Sequence, residues 1–147
     1  MVIRRPQEHI AGCCWLARYA DKVRLYLVGQ LPFLYRVALN SSLGMDGYFL
    51  RHFKLSRWEV VRAIARAKDD EALARWFLER PGVTQQRIAD WNALAPRLGA
   101  PGQPGFMTRH LVKKWVLYPH STKRPVNSLF EAIEQDEKTG AFAVHEE

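Results

Sequence analysis

Four charged residues lie close together in one stretch near the start of the chain: Arg18, Asp21, Lys22 and Arg24. In a helix, residues three or four positions apart are neighbours, so Asp21 lies beside both Arg18 and Arg24. One carboxylate among three cations leaves an excess of positive charge, which suits an anionic ligand. Arg18, Asp21, Lys22 and Arg24 are therefore candidates for a ligand-binding cluster. From the spacing alone, a solvated helix face with weak ion pairs is favoured over a binding site.

A second group combines basic and aromatic side chains within residues 109–124, a combination that suits phosphate contact and base stacking. The candidate nucleic-acid residues are Arg109, Lys113, Lys114, Trp115, Lys123 and Arg124. Residues 99–126 carry five basic and no acidic residues, whereas residues 127–147 carry one basic and six acidic residues. The basic segment therefore pairs either with the acidic run at 131–137 or with a partner, and pairing within the chain is favoured.

The sequence has no motif for nucleophilic or metal-assisted catalysis, and we predict no cofactor and no metal site. The five histidines lack metal-ligand spacing. Cys13 and Cys14 precede Trp15 in an apolar stretch, where thiols behave as small buried hydrophobes. An enzyme whose site assembles from separate helices is an alternative, and its candidate residues are Asp21, Tyr26, Asp46 and His52.

The elements that must position these residues are predicted to be helices. The first helix spans residues 12–28 and stops at Gly29, and residues 33–39 are predicted to be extended. Four sites have the pattern of helix N-caps: Asn40 to Ser42, Ser56, Asp69 with Asp70, and Thr84. Glu59 completes a capping box with Ser56. The fold class is all-α, with six or seven helices in one compact bundle-like domain and one short extended segment after the first helix. The five tryptophans are predicted to anchor the core.

A stretch rich in glycine and proline divides the chain. Five of the seven residues from Gly99 to Gly105 are Gly or Pro, which no regular element tolerates. We predict a main helical domain at 1–98, a linker at 99–105 and a C-terminal helical extension at 106–147 that packs on the main domain.

Length and charge bound the class of protein. The 147 residues, with 48% apolar and 25% charged, are typical of one soluble domain and exclude collagen-like, disordered and disulfide-scaffold classes. The net charge of +7 is the sum of a basic body and an acidic tail, so it does not by itself indicate DNA binding. Neither a signal peptide nor a membrane span is apparent, which predicts a cytoplasmic protein with no membrane partner.

The stretch from Leu16 to Arg24, followed by Gly29 and Tyr35, resembles the opening signature of a small bacterial family of uncharacterised proteins, a domain of unknown function. That family has an L-x-R-x-x-D-K-x-R helix, and the resemblance spans residues 6–98. This sequence departs from the pattern at Ala17, where proline is common, and at residues 32–34, where a glycine–glutamate pair is usual. The resemblance implies a helical fold, a bacterial origin and no known activity.

Together these observations predict a non-catalytic helical module that binds a small anionic ligand or a partner protein through the first helix. A nucleic-acid-binding protein that uses residues 109–124 is the first alternative, and an enzyme of unassigned reaction is the second. A homodimer is consistent with either binding function.

Overall fold

The computed structural model describes residues 3–39, 44–100, 128–130 and 133. Six α-helices occur in these residues: α1 (Leu16–Leu27), α2 (Phe33–Ala38), α3 (Met45–Phe53), α4 (Arg57–Arg66), α5 (Asp70–Leu78) and α6 (Gln85–Leu94). A 3₁₀ turn, Ala95–Arg97, follows α6, and two short antiparallel strands, β1 (His9–Ile10) and β2 (Cys13–Cys14), precede α1. The prediction of an all-α fold is confirmed.

Helix α1 begins later than predicted because the residues before it form a hairpin. Ala11 and Gly12 both have positive φ, as a tight hairpin turn requires. The amide of Cys14 donates to Asn92 Oδ1 at 2.9 Å, which fixes β2 against α6. The predicted stop is confirmed: Gly29 has a φ of 73°, and the amide of Gln30 donates to the carbonyl of Leu25 at 2.8 Å.

The prediction of an extended segment after α1 is wrong, because residues 33–38 form α2. Pro32 presets the backbone, and its carbonyl accepts the amide of Arg36 at 3.0 Å. The amide of Leu39 donates to the carbonyl of Tyr35 at 2.9 Å, a second bond between residues four positions apart. Bonds of this kind define a helix, so the segment is a short helix and not a strand.

Three of the four predicted N-caps are confirmed. Ser56 accepts a hydrogen bond from the amide of Glu59, Asp69 from that of Ala72, and Thr84 from that of Arg87, at 2.8–3.1 Å. Helix α3 is capped by Gly44, and the predicted cap at 40–42 lies outside the described residues. The side chains of Ser56, Asp69 and Thr84 each satisfy an amide at the start of a helix.

The core is built around the ring of Phe49. Its centroid lies 5.1–5.9 Å from the centroids of Tyr19, Phe53, Phe77 and Trp91. These rings come from α1, α3, α5 and α6, so the cluster joins four helices around one residue.

The tryptophans differ in burial. Trp15 and Trp91 are fully buried, and Trp76 is partly buried. Trp58 is 65% exposed, so its predicted core role is wrong. The reason is the orientation of α4, which turns Val60 and Ile64 toward the core and leaves Trp58 in solvent beside Arg57. Trp115 lies outside the described residues.

The last described residues belong to the same core. Leu129, Phe130 and Ile133 are buried in it, and the amide of Leu129 donates to the carbonyl of Leu98 at 2.8 Å. Residues 101–127, which include most of the predicted linker, are outside the described part of the chain, and the domain division stays a prediction. Within the described ranges, no helix has the length and apolarity needed to cross a bilayer.

Candidate functional site

Helix α1 presents its charged residues in two directions. Arg18 and Lys22 are four positions apart and point into the protein, where each is at most 5% exposed. Asp21 and Arg24 are three positions apart and remain partly accessible. The four predicted ligand-binding residues therefore do not form one solvated face. They separate into a buried group and a group near the surface.

Lys22 forms a buried ion pair with Asp46, the second residue of α3. Its Nζ lies 3.0 Å from Asp46 Oδ1 and 2.9 Å from Oδ2, so both carboxylate oxygens accept from one ammonium group. The indole Nε1 of Trp15 donates to the same Oδ1 at 2.8 Å. The ammonium also lies 4.9 Å from the Trp15 ring, within range of a cation–π interaction. We call these three side chains the buried triad.

Arg18 lies beside the buried triad and is only 1% exposed. Its guanidinium carbon is 5.6 Å from the Trp15 ring and 5.8 Å from the Tyr35 ring, and Nη1 donates to the carbonyl of Arg4 at 3.3 Å. Tyr35 comes from α2, so Arg18 links the first two helices and the N-terminal segment. It is a packed cation and does not project into solvent.

The accessible group is an ion-pair network of Arg4, Asp21, Arg24 and Asp70. Arg4 donates to Asp21 from Nε and Nη2, at 3.0 and 2.9 Å, and to Asp70 from Nη1 at 2.6 Å. Arg24 Nη1 donates to Asp70 at 2.9 Å and lies 3.9 Å from Asp21. The network ties the N-terminal segment and the start of α5 to α1. Two arginines and two aspartates neutralise one another, so the excess charge expected around Asp21 is offset there.

The network changes the protonation properties of its members. Hydrogen bonds from Arg4 hold the pKa of the Asp70 carboxyl below its usual value, with a smaller contribution from Arg24. The hydrogen bond to Asp21 raises the pKa of the Arg4 guanidinium. Both shifts favour the charged forms, so the network keeps its ion pairs at neutral pH.

Trp15 holds a strained backbone at the junction of β2 and α1. Its φ is 76°, a value that bulky residues rarely adopt. Its amide donates to the carbonyl of Pro6 at 2.9 Å, and its ring stacks on Phe130 at 5.8 Å. Together with Asp46, these contacts keep the indole between the cations of α1 in spite of the strain.

Arg4, Asp46 and Asp70 are part of the site but were not predicted as ligand-cluster residues. They lie 17 residues from Asp21, 24 from Lys22 and 46 from Arg24, respectively, so no local spacing links them to α1. In the sequence, Asp46 is a candidate only in the enzyme alternative, and Asp70 is only part of a predicted helix cap. The position of Lys22 did indicate that an acidic partner exists elsewhere in the chain, because a cation on an apolar helix face requires a buried acidic partner.

The residues of the enzyme alternative take separate partners. Asp46 belongs to the buried triad and Asp21 to the ion-pair network, while His52 Nε2 lies 2.8 Å from the carbonyl of Arg87. Tyr26 is exposed at the end of α1. These partners hold structural elements together and suggest no shared chemistry for the four residues.

The two cysteines are buried free thiols. Burial raises the pKa of Cys14 to about 12 and also raises the pKa of Cys13. Both thiols are therefore protonated at neutral pH and are poor nucleophiles. In the described ranges, no three His, Cys, Asp or Glu residues converge as metal ligands do.

The candidate nucleic-acid residues lie outside the described residues: Arg109, Lys113, Lys114, Trp115, Lys123 and Arg124. Their role, and the pairing of 109–124 with the acidic run at 131–137, stay predictions.

Residues 1–139 match the model of a protein family described as a domain of unknown function (DUF5069). The chain belongs to this family. The match covers all described residues of the DUF5069 domain, so the buried triad and the ion-pair network both lie within it. The expectation of a domain of unknown function is confirmed, and the bacterial origin stays a prediction. No curated protein matches the chain.

Proposed function

We propose that this DUF5069 domain is a non-catalytic helical module that binds a small anion at the ion-pair network of α1. The supporting observation is an unused donor in that network. Nη2 of Arg24 is buried and has no hydrogen-bond partner among the described residues, whereas Nη1 of the same side chain donates to Asp70. A buried donor without an acceptor costs about 1–3 kcal/mol, which an added oxyanion would recover.

We infer that an anion reaches this buried donor from the side of Asp70. The Asp70 side chain is 42% exposed and is the most accessible member of the network. An oxyanion that enters beside it accepts from Arg24 and lies close to Arg4, so two guanidinium groups face the ligand. Planar guanidinium groups are well suited to carboxylates and phosphates because they donate two parallel hydrogen bonds.

The same chemistry extends to a partner protein, because an exposed aspartate or glutamate of a partner presents the same carboxylate. The buried thiols with raised pKa values support a binding function over covalent catalysis. A location in a bacterial cytoplasm is part of this proposal and rests on the sequence alone.

The test compares thermal unfolding of the wild type and Arg24→Gln in rising concentrations of inorganic phosphate and of citrate. A ligand at one hundred times its Kd stabilises a protein by about 2.7 kcal/mol, which raises Tm measurably. We expect the rise in the wild type to exceed that in Arg24→Gln. Arg75→Gln is the matched control, because Arg75 pairs only with exposed Glu71 among the described residues. The proposal is wrong if both variants respond as the wild type does, or if neither anion raises the Tm of the wild type.

A further inference from the structure

A groove of about 480 Å³ opens between α4 and α5. Its charged lining residues are Arg62, Arg66, Arg80 and Glu59, and Trp76 and three alanines form its apolar part. None of these residues belongs to the buried triad or the ion-pair network. The volume is within the range of sites for small molecules, which is about 300–1,000 Å³.

The helical period places the two arginines of α4 side by side. Arg62 and Arg66 are four positions apart, on a different side of the helix from buried Val60 and Ile64. Both arginines are exposed, and neither forms an ion pair with a described residue. In the described part of the chain, two guanidinium groups therefore lie together at the groove with no carboxylate paired to either.

Arg80 is fixed at the opposite wall. Its guanidinium carbon lies 5.0 Å from the ring of Trp76, and its Nε donates to the Trp76 carbonyl at 3.0 Å. Its nearest carboxylate contact is at 3.8 Å, to the exposed side chain of Glu79. Two contacts to one tryptophan hold this cation in place before any ligand binds, which lowers the entropy cost of binding.

Glu59 does not neutralise the groove. Its carboxylate accepts from the hydroxyl of Ser56 at 3.2 Å, as part of the capping box at the start of α4. Three guanidinium groups stand against the carboxylate of Glu59 and that of Glu79, which lies 3.8 Å from Arg80, so one positive charge is in excess. A phosphate monoester, with a charge of about −1.5 to −2 at neutral pH, is attracted to this excess.

We propose that the groove between α4 and α5 is a second binding site, for a small organic phosphate with a flat apolar body. The phosphate binds Arg62 and Arg66, and the apolar body lies on the alanine methyl groups beside Trp76. The proposal is independent of the one made for α1, because the two sites share no residue.

Isothermal titration of the Arg24→Gln protein tests the groove without a contribution from the ion-pair network. The probes are adenosine 5′-monophosphate, adenosine, and a ten-residue oligothymidylate whose internal phosphates are diesters. We expect the monophosphate to bind about tenfold or more tightly than adenosine, because hydrogen bonds to charged groups have this strength. The oligothymidylate should bind no more tightly than the monophosphate.

A pair of variants, also made in the Arg24→Gln background, then locates the site. Arg62→Gln with Arg66→Gln should weaken binding of the monophosphate about tenfold or more, with an unchanged Tm. Arg57→Gln with Arg75→Gln removes the same amount of charge, one residue from each helix that borders the groove but outside its lining, and should leave binding unchanged. Equal affinities for the monophosphate and adenosine, equal loss in both variant pairs, or tighter binding of the oligothymidylate would overturn the proposal.

Discussion

Replacing Asp46 by asparagine removes a charge from the protein interior and keeps an oxygen acceptor for the indole of Trp15. The wild-type carboxylate is 1% exposed and lies 2.9–3.0 Å from the ammonium nitrogen of Lys22. At an effective dielectric constant near 20, charges at this distance attract by about 5 kcal/mol. Measured losses on removing one partner of a buried pair are about 3–5 kcal/mol. We expect Asp46→Asn to lower the free energy of unfolding by an amount in this range.

This loss is a large part of the stability of a domain of this size, which is about 5–15 kcal/mol in total. It corresponds to a drop in Tm of about 6–20 °C. Urea unfolding followed by circular dichroism measures the change in free energy directly. Asp90→Asn is the control, because Asp90 is exposed and contacts only Gln86 among the described residues, so its expected effect is within about 0.5 kcal/mol.

The double variant Lys22→Met with Asp46→Asn separates the charge effect from packing. In the double variant neither member of the Lys22–Asp46 pair is left charged without the other, so the double variant should regain most of the loss seen in each single variant. If the two single losses add within about 0.5 kcal/mol, the side chains are not coupled and the reasoning is refuted.

Three further outcomes follow from the described contacts. Arg4 lowers the pKa of the Asp70 carboxyl in the folded state, so this group should titrate below the ordinary value of 3.8 in a carbon-13 NMR experiment. The contribution of Asp70 to stability is present above pH 3.8 and is lost as the pH falls through the lower folded pKa. Titration at the ordinary pKa would contradict this. Gly82→Ala should lower the free energy of unfolding, measured in urea, by about 1–3 kcal/mol, because the added methyl group would overlap the carbonyl of Phe53. An unchanged urea midpoint would show that the backbone shifts to fit the methyl group at no cost. Cys13 and Cys14 should resist a thiol reagent at mildly alkaline pH until the protein is denatured, and stoichiometric labelling of the native protein would disprove their burial.

Local signals in the sequence were enough to place the helix caps. Ser56, Asp69 and Thr84 each bond an amide three residues ahead, so the pattern contains both donor and acceptor. The same holds for Gly29, whose positive φ ends α1. These features depend on a few neighbouring residues and not on the rest of the fold.

The arrangement of the candidate site could not be predicted without the tertiary fold. The sequence places Arg18 and Lys22 on α1 but does not predict that they are buried. Their burial depends on Tyr35 and Asp46, which come from other helices. Residues 33–39 alternate imperfectly in the sequence, and a six-residue helix is too short to show a clear helical period. Packing against α1, and not composition alone, determines whether such a short segment is helical or extended.

The participation of Ile133 in the core has a consequence for the order of events during synthesis. Ile10 and Ile133 belong to one cluster, so its members are separated by as many as 123 positions (133 − 10). A ribosome adds about 5–20 residues per second, so several seconds pass between the synthesis of Trp15 and that of Phe130. Only then can the two rings stack. During that interval one side of the indole lacks its aromatic neighbour. The nascent chain therefore exposes apolar surface that a chaperone can bind, and the complete core closes only after residue 133 leaves the ribosome.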